Sequence, residues 1–255
     1  MANPNILVTA GCSFSQVPNA DTTWPVHLQK ALSFNQVLYL GQGAAGNGII
    51  SRRVIYHVSQ LLKINRPENI LVGIMWSGRD RMEVYSKTEI PHHAIESGSA
   101  YRNPVPIANE RNFYLLNNHW DDESTKTFFK YFYNDEYATI LTLEHILRTQ
   151  WYLKQNKVNY FMCQYHYDCL PNPKLRGPDI HLLENEDISA LYNNIDFSNW
   201  IYEPHRPFNN MWSYATETGL PFARPPDPHP ATEHHQLFVR DHVLPFLVDK
   251  KFINY

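Results

Sequence analysis

The sequence has no apolar run long enough to span a lipid bilayer and no basic segment ahead of its first apolar stretch. That first run, residues 5–10, is far shorter than the roughly 20 apolar residues that a membrane helix needs. A secretory signal peptide would begin with positive charge, and residues 1–5 carry no lysine or arginine. We therefore expect a cytoplasmic protein, or one released without a cleaved signal, that has no membrane partner.

An excess of charge of either sign is also missing. Lysine and arginine total 22, aspartate and glutamate total 25, and the formal net charge is −3. Proteins that bind nucleic acid usually cluster positive charge on one face, and this composition gives no sign of such a cluster. We expect no nucleic-acid partner.

Cysteine is scarce, and its spacing argues against a metal site or a disulfide framework. The chain has three cysteines, Cys12, Cys163 and Cys169, an odd number without a C-x-x-C pair. His92 and His93 are adjacent, so they cannot both face one metal ion on regular structure. We expect reduced thiols and no metal ligands.

Glycine is scarce as well, with ten in the chain, yet three of them fall within residues 41–46. Small residues let a backbone approach a ligand closely. Asn47 follows this loop and is expected to cap a helix, whose N–H groups would favour a developing negative charge. An ordinary turn and helix cap would use the same residues. The apolar face of that helix is expected to consist of Ile50, Val54, Val58 and Leu61.

Short apolar runs alternate with helical patterns along the chain. Continuous apolar runs of this length are typical of the buried strands of a parallel sheet. They occupy residues 5–10, 36–40, 69–76 and 158–163, and a fifth short strand is expected around residues 220–223. The predicted fold class is α/β, a three-layer α/β/α sandwich with a central parallel sheet. A long helix before the fourth strand is expected to use one face formed by Tyr137, Ile140, Glu144, Leu147 and Trp151.

Two segments fit no clean period. Prolines interrupt residues 82–127, and residues 165–226 are rich in proline and aromatic side chains. Long connections without regular structure are often lids or insertions. We predict a single domain over residues 1–255 with cap or insert segments at about 82–127 and 165–226. Aromatic rings in the second segment could stack on a sugar or hold an acyl chain, although packing in the core is the simpler role.

A candidate nucleophile stands at the end of the first strand. Gly11 ends the apolar run, and Ser13 follows it on a strand-to-turn junction that would raise a hydroxyl above the sheet edge. Serine needs a base that is oriented by a third group. His229 is the preferred base, because Asp227 lies two residues before it and the flanking prolines stiffen that loop. Cys12 is the weaker alternative nucleophile, since its side chain should point to the opposite face.

Three short motifs together resemble the SGNH (GDSL-like) hydrolases. Gly11-Cys12-Ser13-Phe14-Ser15, Gly43-Ala44-Ala45-Gly46-Asn47 and Asp227-x-His229-Pro230 are similar, in order and spacing, to blocks I, II and V of that family. The resemblance spans nearly the whole chain and implies a flavodoxin-like fold with Ser13, His229 and Asp227 as a catalytic triad. It also implies an oxyanion hole that includes the backbone N–H groups of Ser13 and Gly46.

The sequence departs from the family after the third strand. Family members carry Gly-x-Asn-Asp there, with an asparagine that donates to the oxyanion, whereas this chain reads Ser77-Gly78-Arg79-Asp80-Arg81. Ser77 and Arg79 at this position, or Asn47 in the second block, are the candidates for the missing donor. Arg81 is a candidate for binding the substrate, for example an anionic one, or for a surface ion pair.

The resemblance implies a serine hydrolase that cleaves or transfers an acyl ester through an acyl-enzyme, without a metal or organic cofactor. We expect the substrate to be a small-molecule ester, such as a carbohydrate ester. Two alternatives remain: an acyltransferase on the same fold, and a binding or assembly protein whose catalytic site has decayed. The last helix, expected to be capped by Thr232, carries His234, His235 and His242, which compete with His229 for the role of base.

Overall fold

The structure is a computed structural model that describes residues 3–17, 22–85, 113–118, 123–171, 180–201, 210–223 and 229–254. Its strands are β1 (Ile6–Gly11), β2 (Gln36–Tyr39), β3 (Ile70–Trp76), β4 (Arg81–Tyr85), β5 (Phe113–Asn117) and β6 (Asn159–Gln164). Its helices are α1 (Trp24–Leu32), α2 (Asn47–Leu61), α3 (Glu123–Tyr131), α4 (Asp135–Gln155), α5 (Glu186–Asn193), α6 (Met211–Glu217), α7 (Thr232–Phe238) and α8 (Leu244–Asp249).

The centre of the fold is a parallel sheet of four strands in the order β2-β1-β3-β6. Every neighbouring pair in this sheet is parallel. The order matches the start of the flavodoxin arrangement, in which β2 is added on one side of β1 and β3 on the other, so that the strand order reverses between β1 and β3. Ligands of such sheets bind outside the carboxyl ends of the strands at this switch point, so the loops after β1 and β3 are where a site is expected.

Both faces of the sheet are covered. Alternate residues of β1 face opposite sides, so Val8 packs in one core with Val54 of α2 and Leu147 of α4, while Leu7 packs in a second core with Leu28 of α1 and Leu247 of α8. The three layers follow from this alternation, and the predicted α/β class with a central parallel sheet flanked by helices is confirmed.

The hairpin of β4 and β5 lies outside the main sheet. Its strands are antiparallel, and they enclose residues 86–112, which are outside the described residues. The hairpin packs against α2, and Arg52 of α2 pairs with Glu83 of β4 at 2.9 Å. β4 begins at Arg81, only five residues after β3 ends, so the hairpin starts at the carboxyl edge of the sheet.

The strand predictions within the sheet are confirmed to within one or two residues, but other local predictions are wrong. Residues 220–223 form no strand, and the Ala223 N–H instead donates to the His229 carbonyl at 3.2 Å. Gly46, not Asn47, is the N-cap of α2. Ala231, not Thr232, is the N-cap of α7, and the Thr232 hydroxyl accepts from the Thr22 N–H.

The predicted face of the long helix α4 is also partly wrong. Tyr137 and Trp151 are about half exposed. The buried side of α4 includes polar residues, namely Thr139, Thr142, Thr149 and Gln150. These find partners: Thr149 donates to Ser51 of α2, and Gln150 donates to the Asn194 carbonyl.

None of the helices within the described ranges combines the length and the apolar character that crossing a bilayer requires.

Candidate active site

The turn after β1 fixes Ser13 at the carboxyl edge of the sheet. Ser13–Ser15 form one turn of 3₁₀ helix directly after Gly11 and Cys12. Gly11 has a φ of 157°, and a Cβ there would lie 2.7 Å from the Met75 carbonyl oxygen of β3, so only glycine fits. The buried Ser15 hydroxyl accepts from the Trp24 indole at 2.8 Å, which ties the turn to α1. The backbone around Ser13 is therefore held on two sides.

The structure brings Ser13 and His229 together. The Ser13 Oγ lies 2.8 Å from His229 Nε2, although 216 residues separate them in the chain. The Phe14 ring packs against the His229 ring with centroids 5.2 Å apart. Asp227, the third member of the predicted triad, lies outside the described residues.

The competing histidines of the last helices occupy other environments. His234 and His235 are buried, and the His234 Nδ1 accepts from the Ala231 N–H at 2.9 Å. Burial, reinforced by the neighbouring histidines, lowers the pKa of His235 to about 3. The His242 ring packs on Tyr214, with centroids 4.6 Å apart. Of the four candidates, His229 is the one whose ring nitrogen contacts the Ser13 hydroxyl.

Cys12 does not share the position of Ser13. Its side chain is fully buried in the core with Leu7 and Met75. A buried thiol packed among apolar side chains is inert compared with a partly exposed one.

The glycine loop after β2 is anchored to the Ser13 turn. The Gln42 N–H donates to the Gly11 carbonyl at 3.0 Å, and the Gly43 N–H donates to Gln16 Oε1 at 2.8 Å. From beneath, the fully buried Arg53 of α2 donates to the Leu40 carbonyl at 3.1 Å and to the Gln42 side chain. The loop and the nucleophile turn are thereby held as one unit.

Gly46 and Ser13 each present a backbone N–H at the start of a helical segment. Gly46 precedes the first turn of α2, and Ser13 begins a 3₁₀ turn, positions at which N–H groups have no partner within the helix. Among the described residues, neither N–H donates to a backbone acceptor. These are the two backbone donors that the resemblance to the SGNH hydrolases implies for an oxyanion hole.

Asn47 is engaged on both sides of its amide. Its Oδ1 accepts from the Ser77 N–H at 2.8 Å, and its Nδ2 donates to the Ser77 carbonyl at 3.0 Å and to the Thr142 hydroxyl at 3.2 Å. The buried Asn47 therefore clamps the end of β3 between α2 and α4. Both N–H groups of its amide already have acceptors.

Arg79 is buried and turned towards the residues after β6. Its Nη1 donates to the Asp168 carbonyl at 3.2 Å, and its Nε lies 3.8 Å from the carboxylate of Asp135 at the start of α4. Arg79 therefore ties together the loops that follow β3 and β6.

Arg81 joins Ser77 to a group of polar residues after β6. Its Nη1 donates to the Ser77 hydroxyl at 3.0 Å, its Nη2 donates to the Tyr165 hydroxyl at 3.3 Å, and its guanidinium carbon lies 4.6 Å from the centre of the Tyr165 ring. The Tyr165 hydroxyl donates in turn to Asp168 Oδ2 at 3.2 Å. His166 Nδ1 lies 3.2 Å from the other oxygen of Asp168.

The Asp168 carboxylate is held in its charged form. Burial alone would raise its pKa, but the contact with His166, the charge of Arg81 and the hydrogen bond from Tyr165 outweigh burial, and the pKa of Asp168 is lowered. Burial also raises the pKa of Tyr165, and there it outweighs the charge of Arg81, so the hydroxyl stays protonated.

Sequence reasoning missed Tyr165, His166 and Asp168 as site residues. All three directly follow β6, whose carboxyl end lies on the same sheet edge as those of β1 and β3. The position of a polar triplet after a predicted parallel strand was the signal that could have found them.

Within the described ranges, no cluster of three histidine, cysteine, aspartate or glutamate side chains is arranged to hold a metal ion.

Comparison with known proteins places the chain in a family without assigning it an activity. No curated protein matches the sequence. A solved structure described as a member of the lipolytic protein G-D-S-L family, from Veillonella parvula DSM 2008, is similar at 10% identity, with 96% of each chain covered and a TM-score of 0.44. The model of a family of unknown function (DUF6071) matches residues 15–254, and the chain therefore belongs to that family.

Proposed function

We propose that this protein is a serine hydrolase of the SGNH type that cleaves, or transfers, the acyl group of an ester. The observation that carries the proposal is the 2.8 Å contact between Ser13 Oγ and His229 Nε2 at the carboxyl edge of a parallel sheet. A hydroxyl within hydrogen-bond reach of an imidazole is the geometry that nucleophilic catalysis requires.

In the proposed mechanism, Ser13 Oγ attacks the ester carbonyl while His229 Nε2 accepts its proton. For Nε2 to accept, the neutral ring must carry its hydrogen on Nδ1, and Asp227 is the proposed acceptor of that hydrogen. The backbone N–H groups of Ser13 and Gly46 are proposed to stabilise the oxyanion. His229 then returns the proton to the departing alcohol, and water, deprotonated by His229, releases the acid from Ser13.

The fixed backbone at Ser13 supports this mechanism because the nucleophile must be presented in one geometry. Gly11 permits the close passage over β3, and the bond from Trp24 to Ser15 restrains the turn. Phe14 packs on the His229 ring and so limits its rotation. Such restraint reduces the entropy lost on reaching the transition state.

Aromatic rings near the site support a ring-bearing substrate such as a carbohydrate ester. The Trp212 ring packs edge-on against the His166 ring, with centroids 5.0 Å apart, and its centroid lies 6.5 Å from that of the Phe222 ring. Tyr167 is 47% exposed beside them. Flat aromatic faces of this kind bind the apolar faces of sugar rings or acyl groups.

The proposal is tested by labelling with a fluorophosphonate and by turnover of p-nitrophenyl acetate. We expect one label on Ser13, located by peptide mass spectrometry, and loss of both labelling and turnover in Ser13→Ala. Cys12→Ala serves as the matched control and should keep most of the activity. Absence of labelling in the wild-type protein would indicate a binding protein, and labelling of Cys12 would reassign the nucleophile.

Added alcohols separate hydrolysis from transfer. An acyltransferase would produce the new ester faster than the free acid when an acceptor alcohol is present, whereas a hydrolase would produce mainly acid.

A further inference from the structure

The proposed oxyanion hole has two backbone donors and no asparagine after β3. Oxyanion holes are effective because their donors are already aimed at the position where charge develops. Of the side chains that sequence reasoning offered as a third donor, Asn47 has both N–H groups engaged, by Ser77 and Thr142. Arg79 is turned away, towards Asp168 and Asp135. Ser77 accepts from Arg81 through its hydroxyl, which directs attention to Arg81 itself.

The backbone of Arg81 lies directly against the second block. A Cβ on Gly46 would collide with the Arg81 carbonyl oxygen, so the first residue of β4 is in close contact with the residue that supplies a backbone donor. This contact places Arg81 beside the N-terminus of α2.

The side chain of Arg81 extends from there towards the nucleophile turn. Its guanidinium lies on the Tyr165 ring, and the Tyr165 ring packs edge-on against Phe14, with centroids 5.2 Å apart and planes at 83°. Phe14 is the residue after Ser13. The Arg81 backbone therefore contacts Gly46, and its guanidinium packs on the same ring, that of Tyr165, as Phe14 of the Ser13 turn.

These contacts orient the Arg81 guanidinium but engage only some of its N–H groups. One N–H of Nη1 is taken by the Ser77 hydroxyl and one of Nη2 by the Tyr165 hydroxyl. A guanidinium has five N–H donors in a planar fork, so two fixed bonds set the directions of the others. Ser77 therefore acts through Arg81, as a group that positions it.

The charge of Arg81 is secured by its surroundings. Burial would lower the pKa of the guanidinium, but the acidic side chains around it, which include the carboxylates of Asp80 and Asp168, outweigh burial, and the pKa is raised. A positive charge in a partly buried site interacts with a developing oxyanion more strongly than the same charge would in water.

We propose that Arg81 is a catalytic residue whose guanidinium donates to the oxyanion, in the role for which this chain has no asparagine. The proposal rests on the proposed acyl-transfer function of Ser13. It gives Arg81 a different role from the substrate-binding one expected from the sequence, which stays a prediction.

Steady-state kinetics on Arg81→Gln and Arg81→Lys test the proposal. We expect Arg81→Gln to lower kcat by about 10²-fold with little change in KM, because one oxyanion donor acts mainly in the transition state. Arg81→Lys keeps the charge and should lose less. The matched control is Arg52→Gln, which removes an arginine that contacts the same strand through Glu83 and should leave kcat within about threefold.

Rescue by free guanidinium separates a direct role from a structural one. Millimolar guanidinium ion should restore part of kcat in Arg81→Ala, with saturation, and should not do so in Ser13→Ala. If Arg81→Ala does not fold, kcat and KM of Arg81→Lys decide the matter, because the loss of an oxyanion donor should lower kcat and leave KM nearly unchanged. Wild-type kcat in Arg81→Gln, or a folded Arg81→Ala that guanidinium cannot rescue, would overturn the assignment.

Failure of the proposed function is distinguishable from failure of this inference. If the wild-type protein neither turns over p-nitrophenyl acetate nor reacts with fluorophosphonate, the hydrolase proposal is wrong, and the role proposed for Arg81 is then wrong as well. If the wild-type protein reacts at Ser13 and Arg81→Gln reacts equally fast, only the inference about Arg81 is wrong.

Discussion

Several histidines lie close together around the start of α7, and burial separates their roles. His27, His229 and His234 are near enough to His235 to contribute to the lowering of its pKa. Burial also lowers the pKa of His27 and of His234. A ring that is buried and remains neutral is suited to packing and to hydrogen bonding with the backbone, as His234 shows with Ala231. His229 differs because its Nε2 faces the Ser13 hydroxyl.

Kinetic parameters of histidine variants should separate these roles. We expect His229→Ala to lower kcat/KM by about 10³-fold or more, since the base and the nucleophile act as a unit. His234→Ala removes the acceptor for the Ala231 N–H and the ring that packs on Phe222, but it leaves the Ser13–His229 contact and should retain most of the rate. The measurement is turnover of p-nitrophenyl acetate as a function of pH. The opposite ranking of the two variants would move the base to α7.

Residue types and motif order were sufficient to predict the pairing of Ser13 with His229, but not which residues Arg79 and Arg81 contact. Arg79 and Arg81 are two positions apart and chemically identical in sequence. Their directions are set by partners after β6, Asp168 for one and Tyr165 for the other. Such contacts depend on which strand lies next to β3, and a sequence pattern does not specify that neighbour.

At the level of elements, the sequence predicted strands better than helix faces. The central strands β1 and β3 are buried on both faces, so each reads as a continuous apolar run. The helix α4 is different, because a count of apolar residues overlooks buried polar residues that have partners. Thr142 is bonded to Asn47 and Thr149 to Ser51, and these bonds make the α2–α4 contact partly polar.

Asn47 is the point at which this polar contact supports the site. Asn47→Ala would leave the buried Ser77 N–H and carbonyl without the partners that Asn47 provides. An unsatisfied buried group costs about 1–3 kcal/mol, so we expect a loss of about 2–4 kcal/mol in the free energy of unfolding, measured with urea. Gln60→Ala, at an exposed position of the same helix, should change it by about 0.5 kcal/mol or less. Equal stability of the two variants would mean that water replaces the Asn47 amide.

At the scale of the whole molecule, the candidate site is assembled from the segments that follow the four strands of the main sheet, and the layers on both sides of the sheet hold those segments in place. α2 and α4 hold the end of β3 through Asn47 and Thr142. On the other face, α1 holds the Ser13 turn through Trp24. The first of these layers also contains the partly buried His145 on α4, and the second contains the buried His235 on α7. Stability of the whole fold should therefore depend on pH.

Acid should destabilise the folded chain through these two histidines. Burial, with Arg148 and Arg52 adding to it, lowers the pKa of His145 to about 4, and burial lowers that of His235 to about 3. In the unfolded chain a histidine has a pKa of about 6.5, so between that value and the folded one the unfolded state binds more protons. The free energy of unfolding must therefore fall as the pH drops through this window, and it is constant with respect to these groups above it.

Urea unfolding at about pH 7 and at about pH 4.5 measures the effect, since both pH values lie above the pKa values of the two histidines in the folded state. We expect the wild-type protein to lose stability between the two, and His235→Gln to lose clearly less, because glutamine does not titrate. The quantity compared is the change in the free energy of unfolding between the two pH values within each protein. Any stability that His235→Gln loses at neutral pH through altered packing cancels in this difference. His181→Gln, at an exposed position, should behave as the wild-type protein does. The same pH dependence in wild type and His235→Gln would show that the imidazole of His235 is protonated in the folded state at the lower pH, which its burial beside Phe14 opposes.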